Sequence, residues 1–306
     1  MKTRLLSVPL MILFAFSAIG CISDGGSETE DWNSLVMKVN ESLEEGNGHD
    51  MDINSHIEDL DYEKALASID EALECYDKAL FDIARLKEYA KRMEEEYLTG
   101  YVIAWEGQVQ EIANSLRCLR VIISIDMFNV EFYNVSSLHP VAEQQMSQAF
   151  NYYYKGEHEA AVTSATSSLN KYETMEGVAN DLKSISVGIG EPFVIDYANG
   201  IADLVGHASS ALDHLKMAAN SAMQGDESAS GQLISTANED YGDYIATIDL
   251  LIGIETMHPN AFPSQGFALQ ELRATYLAIK SNSESSALGY RERMRQLEEE
   301  HQEFFE

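Results

Sequence analysis

Apolar residues recur at helical spacing along most of the chain. Trp32, Leu35, Val36, Val39 and Leu43 fall on one face and predict an amphipathic helix over residues 31–45, ended by Gly46-Asn47-Gly48. A longer helix is predicted from near Asn54, or again from Asp61, to about Leu98. In it Leu66, Leu73 and Leu80 recur every seven residues, beside a second row of Ile69, Tyr76, Ile83, Ala90 and Tyr97. After a turn expected at Thr99-Gly100, Val102, Val109, Leu116, Ile123 and Val130 repeat the pattern, partnered by Trp105, Ile112 and Leu119. Such rows belong to helices packed at shallow angles. Lys87 and Glu94 interrupt the first row, which indicates a globular bundle rather than an extended coiled coil. The run Val121-Ile122-Ile123-Ser124-Ile125 is apolar nearly all round, so its helix is expected to be central.

His139-Pro140 predicts a new helix with proline in its first turn, ending before Gly156. Further helices are predicted over residues 157–186, 193–223, 228–257 and 266–305. They are separated by Gly188-Ile189-Gly190-Glu191-Pro192, by Gly225-Asp226, and by the stretch from His258-Pro259 to Pro263. No segment alternates with period two, and between Pro9 and Pro140 there is no proline. The expected fold class is all-α, an array or bundle of antiparallel helical hairpins. The break at 188–192 is the expected seam between an N-terminal helical subdomain (31–187) and a C-terminal one (191–306), unless the body is one continuous domain.

Residues 149–169 (AFNYYYKGEHEAAVTSATSSL) carry a small residue and aromatics on one helix, Gly156 near the turn, then Ala160, Ala161 and Ala165. This stretch resembles the core of a tetratricopeptide hairpin, and residues 61–73 (DYEKALASIDEAL) resemble the second helix of that unit. Small side chains there let two helices approach closely. No repeat of about 34 residues recurs along the chain, so the likeness covers a unit and a half. It implies a scaffold or peptide-binding role and brings no catalytic residues. Tyr152, Tyr153 and Tyr154, with Phe150, are candidates to line a peptide groove, although buried aromatics more often fill a hairpin core.

The N-terminus has a different texture. Lys2 and Arg4 precede an apolar run, Leu10 to Phe16, and small residues lead to Gly20. This is the layout of a secretory signal, residues 1–20, and the run is short of the roughly 20 apolar residues a membrane span needs. Ser17-Ala18-Ile19-Gly20-Cys21 resembles the lipobox of prokaryotic lipoproteins, with Ala18 where leucine is usual. The resemblance implies cleavage before Cys21, lipid on that cysteine and anchoring to the outer face of a membrane. Residues 21–30 then read as the lipidated cysteine and a polar tether.

Charge narrows the partners. The first twenty residues hold two of the 20 basic residues and none of the 51 acidic ones, leaving a net charge of −33 beyond them. Phosphate contacts require clustered Lys and Arg, so nucleic acid is excluded as a partner, and anionic lipid headgroups should repel the body. With 45% hydrophobic residues it is nonetheless no disordered acidic tail. If the chain reverses near Gly100, Cys75 and Cys118 differ by seven residues in register, roughly 10 Å along a helix, too far for a disulfide. Both are expected as free thiols.

Candidate chemistry is sparse. Glu255/His258 and Glu298/His301 have the Glu-x-x-His spacing of di-metal bundles, but His258 precedes a proline and His301 lies among terminal glutamates. Asp203, His207 and His214 share a helix face where Asp203 and His207 could take a metal, yet two or three ligands make no closed site. No cofactor motif and no nucleophile–base pair can be assembled, so no cofactor is expected and an enzyme ranks last. Asn40 and Asn134 each open a glycosylation sequon. The sequence supports a membrane-anchored extracytoplasmic scaffold for an envelope protein or peptide. The alternative is a small-ligand or metal-binding lipoprotein serving a transporter or redox system.

Overall fold

The computed structural model describes residues 27–263 and 266–301. Among them are seven helices: α1 (Ser27–Glu58), α2 (Tyr62–Arg92), α3 (Glu96–Tyr154), α4 (His158–Ile189), α5 (Pro192–Met223), α6 (Glu227–Met257) and α7 (Gln270–Glu300). No strand occurs among the described residues, and the chain is an all-α array of antiparallel hairpins. Local chemistry sets many of the helix ends. Asp61 and Asp226 cap α2 and α6 by accepting from the amides of Lys64 and Ala229. Pro192 opens α5, and Gly156 and Gly190 take the left-handed conformation on either side of α4.

Packing divides the chain into two compact units. One runs to Ile123 and resumes at Ala274; the other is Ser124–Arg273. The break at 188–192, expected as the seam, is instead the tight turn between the packed helices α4 and α5, both in the second unit.

The first unit contains α1, α2, the first half of α3 and nearly all of α7. Trp32, Leu43 and Ile53 of α1 are buried, and so are Ile69, Tyr76, Ile83 and Ala90 of α2. The second buried row of α2 is Ala65, Ala72, Ala79 and Leu86, one position away from the expected leucines; Leu66, Leu73 and Leu80 are only half-buried. Alanines at the contact let the helices come close, and the leucines cover the flank. Antiparallel α3 joins α2 through Arg117–Asp77 and Arg120–Asp70, each at 3.1 Å. α7 closes on α3, where the Tyr101 hydroxyl donates to Glu298 (2.8 Å) and the Tyr290 ring lies over Gly107.

The second unit is a closed four-helix bundle of the rest of α3 with α4, α5 and α6. Ser164 and Ser168 of α4 donate to the Gln145 and Ala142 carbonyls of α3. His214 of α5 meets Asp240 of α6 at 2.6 Å. α6 returns to α3, with His139 Nε2 3.0 Å from the Tyr244 hydroxyl and the Tyr153 hydroxyl 2.7 Å from Ser230. Arg273 reaches back to Asp126 with two bonds, 2.8 and 3.0 Å.

Three expected boundaries are corrected. α1 does not stop at Gly46-Asn47-Gly48 but continues through them to Glu58. The Cβ of any larger residue at Gly46 would lie 3.1 Å from the Tyr76 ring, so this glycine serves helix contact rather than termination. The reversal after α2 lies at residues 93–95, not Thr99-Gly100, and its left-handed residue is Glu94 (φ 57°), with no glycine to mark it. His139-Pro140 does not open a helix: Pro140 sits inside the 59-residue α3.

Candidate functional site

The tyrosine run ends α3 and lies along the bundle surface, bonded to α6 rather than sunk in the core. Tyr153 bonds to Ser230, the Tyr154 hydroxyl donates to Asn238 (2.9 Å), and the Phe150 ring lies tilted beside that of Tyr241, centroids 5.2 Å apart. Tyr152 is half-buried, and Tyr154 keeps an exposed ring. The neighbouring Ala149, Ala161 and Ala165 are fully buried, which is the close approach their pattern predicts. Ala149 lies on α3 and Ala161 and Ala165 on α4, a helix of 32 residues, nearly as long as a whole tetratricopeptide unit of about 34.

Both Glu-x-x-His pairs hold helix ends together. Glu255 accepts from the Tyr197 hydroxyl at 2.8 Å while His258 stacks on Phe193, centroids 4.0 Å apart. Glu298 accepts from Tyr101 at 2.8 Å while His301 stacks on Tyr97 at 4.6 Å. In each case the partner helix offers an aromatic residue and, four positions on, a tyrosine. Burial first and the glutamate second hold both tyrosine hydroxyls well above their usual range, so they stay protonated donors. The two clamps lie in different units.

Asp203 is exposed, His207 half-buried, and His214 is engaged by Asp240. Among the described residues, three or more potential metal ligands converge at one place only, and it is elsewhere. Glu45 and His49 of α1 meet Cys75 of α2, their ligand atoms all within 4.8 Å of one another. Glu71, one turn before Cys75, puts Oε2 3.2 Å from His49 Nδ1. Burial, then the Glu45 carboxylate, pushes the Cys75 thiol up. Immediately beyond, the Tyr76 hydroxyl donates to Asp50 (2.7 Å) and Asn47 (3.2 Å). Burial raises the Asp50 carboxyl to about 6, and its other oxygen has no hydrogen-bond partner. The sequence carries this cluster as two i, i+4 pairs, Glu45/His49 and Glu71/Cys75. A helix ending at Gly46 would leave Glu45 and His49 on different elements; the continuous α1 sets them one turn apart on one face.

A second feature lies along α2. An open depression of about 580 Å³ is lined by the apolar Leu73 and Phe81 and by Asp70, Glu74, Asp77 and Asp82, with Lys78 the one basic side chain. Phe81 is 68% exposed.

Cys75 and Cys118 are both free and buried. Asn40 and Asn134 lie inside helices, the Asn134 amide bonded to Glu131. Residues 1–26, including Cys21 and the expected signal, fall outside the described residues. Among the described residues, no helix is long and apolar enough to cross a membrane. Comparison with protein-family models, curated proteins and solved structures found no match to this chain.

Proposed function

We propose that the protein is an exported lipoprotein, held to the outer face of a membrane by lipid on Cys21, whose helical body is an interaction scaffold for a basic segment of an envelope protein or peptide. The observation that carries this reading is the depression along α2, where Phe81 stands exposed among carboxylates. The four carboxylates are paired in the free protein, Asp70 with Arg120, Glu74 with Lys78, Asp77 with Arg117 and Asp82 with Arg85. A basic, amphipathic partner would therefore pack on the ring and exchange with these cations at the rim. The overall charge of −31 favours the same partner and disfavours an anionic membrane surface. The signal-like residues 1–20 and the lipobox-like stretch ending at Cys21 support the location.

The test has two arms. Cys21→Ser should move the protein from the membrane fraction to the soluble one; full retention would show that lipid on this cysteine is not the anchor. A photo-crosslinking residue at position 81, introduced in the native host, should capture a single basic neighbour. The same probe at exposed Val187 should not capture it. Glu74→Lys, at an exposed position whose ion pair is with Lys78 of the same helix, should weaken capture at 81, and capture that is unaffected by the reversal would sink the assignment of this surface.

A further inference from the structure

We propose that Glu45, His49 and Cys75 form a binding site for a borderline divalent transition ion, zinc in the first place, with Glu71 at its rim. This inference is independent of the scaffold reading. It rests on the convergence of unlike donors. A carboxylate, an imidazole and a thiol come from two antiparallel helices, with their ligand atoms all within 4.8 Å. A tetrahedral zinc ion with bonds of about 2.0–2.3 Å needs ligand atoms about 3.5 Å apart. Small side-chain rotations therefore suffice, with no change of backbone.

The donor set selects the ion. A thiolate is a poor ligand for calcium or magnesium, whereas sulfur, nitrogen and one carboxylate suit zinc and its neighbours in the transition series. Three protein ligands leave one position for water or for a further group, as in open zinc sites. Glu71 lies close enough to His49 to be the carboxylate that orients a metal-bound imidazole. The backbone is built for this approach. Glu45 and His49 share one face of α1, Glu71 and Cys75 share one face of α2, and Gly46 brings the two helices together beside Cys75.

Without an ion the same groups pair among themselves: His49 with Glu71, and the Cys75 thiol beside Glu45. Binding replaces the thiol proton by the metal. As the sulfur–metal bond forms, that proton passes to solvent, so uptake releases one proton and tightens as pH rises.

Cobalt(II) serves as the probe on the full-length, reduced protein. One equivalent should produce a thiolate-to-cobalt charge-transfer band in the near ultraviolet and visible bands of a four-coordinate ion. One equivalent of zinc should then abolish both. Cys75→Ser should remove the charge-transfer band. His49→Gln and Glu45→Gln should weaken binding at least about 10-fold, and Glu71→Gln about 10–100-fold, the range for groups that orient a ligand. Cys118→Ser, Cys21→Ser and the pair Asp203→Asn/His207→Gln should leave the titration unchanged. Circular dichroism checks folding; if Cys75→Ser is unfolded, His49→Gln and Glu45→Gln, at more exposed positions, decide. The proposal fails if stoichiometric cobalt gives no charge-transfer band, if the band survives in Cys75→Ser, or if only the Asp203/His207 variant loses it.

Discussion

Gly46 and Gly48 stand two residues apart in α1 and answer to different forces. At Gly48 an added methyl group would meet nothing within 4 Å, so only helix propensity acts there. Gly48→Ala should stabilise the protein by up to about 1 kcal/mol. At Gly46 the methyl group would press on the ring of Tyr76, which is fully buried and pinned by its bonds to Asp50 and Asn47. The crowding outweighs the propensity gain, and Gly46→Ala should cost about 1–2 kcal/mol. Urea denaturation of the two variants measures both; equal shifts of the same sign would contradict the packing described. This pair also shows why the Glu45–His49–Cys75 cluster was not legible in the sequence. A Gly-x-Gly stretch reads as a stop, and nothing local reveals that one glycine is needed by a tyrosine on another helix. Two buried titratable groups give a further prediction. Asp50, near 3.8 when unfolded, titrates at about 6 in the fold, so the folded state holds more protons between those values. Its contribution is present below about pH 4 and is lost as pH rises through 6, a change of about 3 kcal/mol. His139 acts in the opposite sense. Burial lowers its pKa from 6.5, so below that pH the unfolded chain takes up a proton that the fold refuses, and stability falls as pH drops. Chemical denaturation from pH 4 to 8 should show Asp50→Asn losing the first slope and His139→Gln the second.

The paired clamps act on helix ends. Tyr197→Phe frees Glu255 where the start of α5 meets the end of α6, and Tyr101→Phe frees Glu298 where the start of α3 meets the end of α7. Each should cost about 1–2 kcal/mol, since a hydrogen bond to a charged acceptor is lost while the ring still packs. Hydrogen exchange should quicken at the C-terminal turns of α6 and α7 respectively; protection unchanged in both variants would mean the bonds hold nothing. Helices were the legible part of this chain. Periodicity located the helices and the Ile69–Ala90 row, but it placed the second row of α2 on leucines one position from the buried alanines and put exposed Val130 in the row of α3. Asp61, Gly156, Gly190, Pro192 and Asp226 marked ends in accordance with their capping chemistry. Two signals misled for physical reasons. Pro140 looked like a first turn, yet a proline inside a helix costs one backbone bond and is tolerated when packing on both sides is strong. The reversal at Glu94 was invisible because a left-handed glutamate has no compositional signature. The clamps were visible as Glu-x-x-His, but the tyrosines that donate to their glutamates lie 58 and 197 positions away in the chain. No local pattern joins them.

At the scale of the whole molecule, charge opposes folding. Fifty-one acidic residues against 20 basic ones leave self-repulsion that the salt bridges only partly relieve, most of them between exposed groups worth little individually. Raising ionic strength from about 0.01 M to about 1 M shortens the screening length from roughly 30 to 3 Å. The thermal midpoint should rise with sodium chloride, by about 2–4 °C for every kcal/mol of repulsion removed. A midpoint that falls with salt would show that attractive pairs dominate instead. The way the two units divide the chain also governs how the protein comes into being. Ser124–Arg273 is continuous, so all its helices are available as soon as that stretch has been synthesised. The first unit must wait: Tyr101 has no Glu298, and Gly107 no Tyr290, until the final helix has been made. Contacts that bridge so much chain form late, and until they do the newly made α1, α2 and early α3 present an unfinished apolar face to the folding machinery. A chain truncated before α7 would thus be damaged at its beginning rather than at its end.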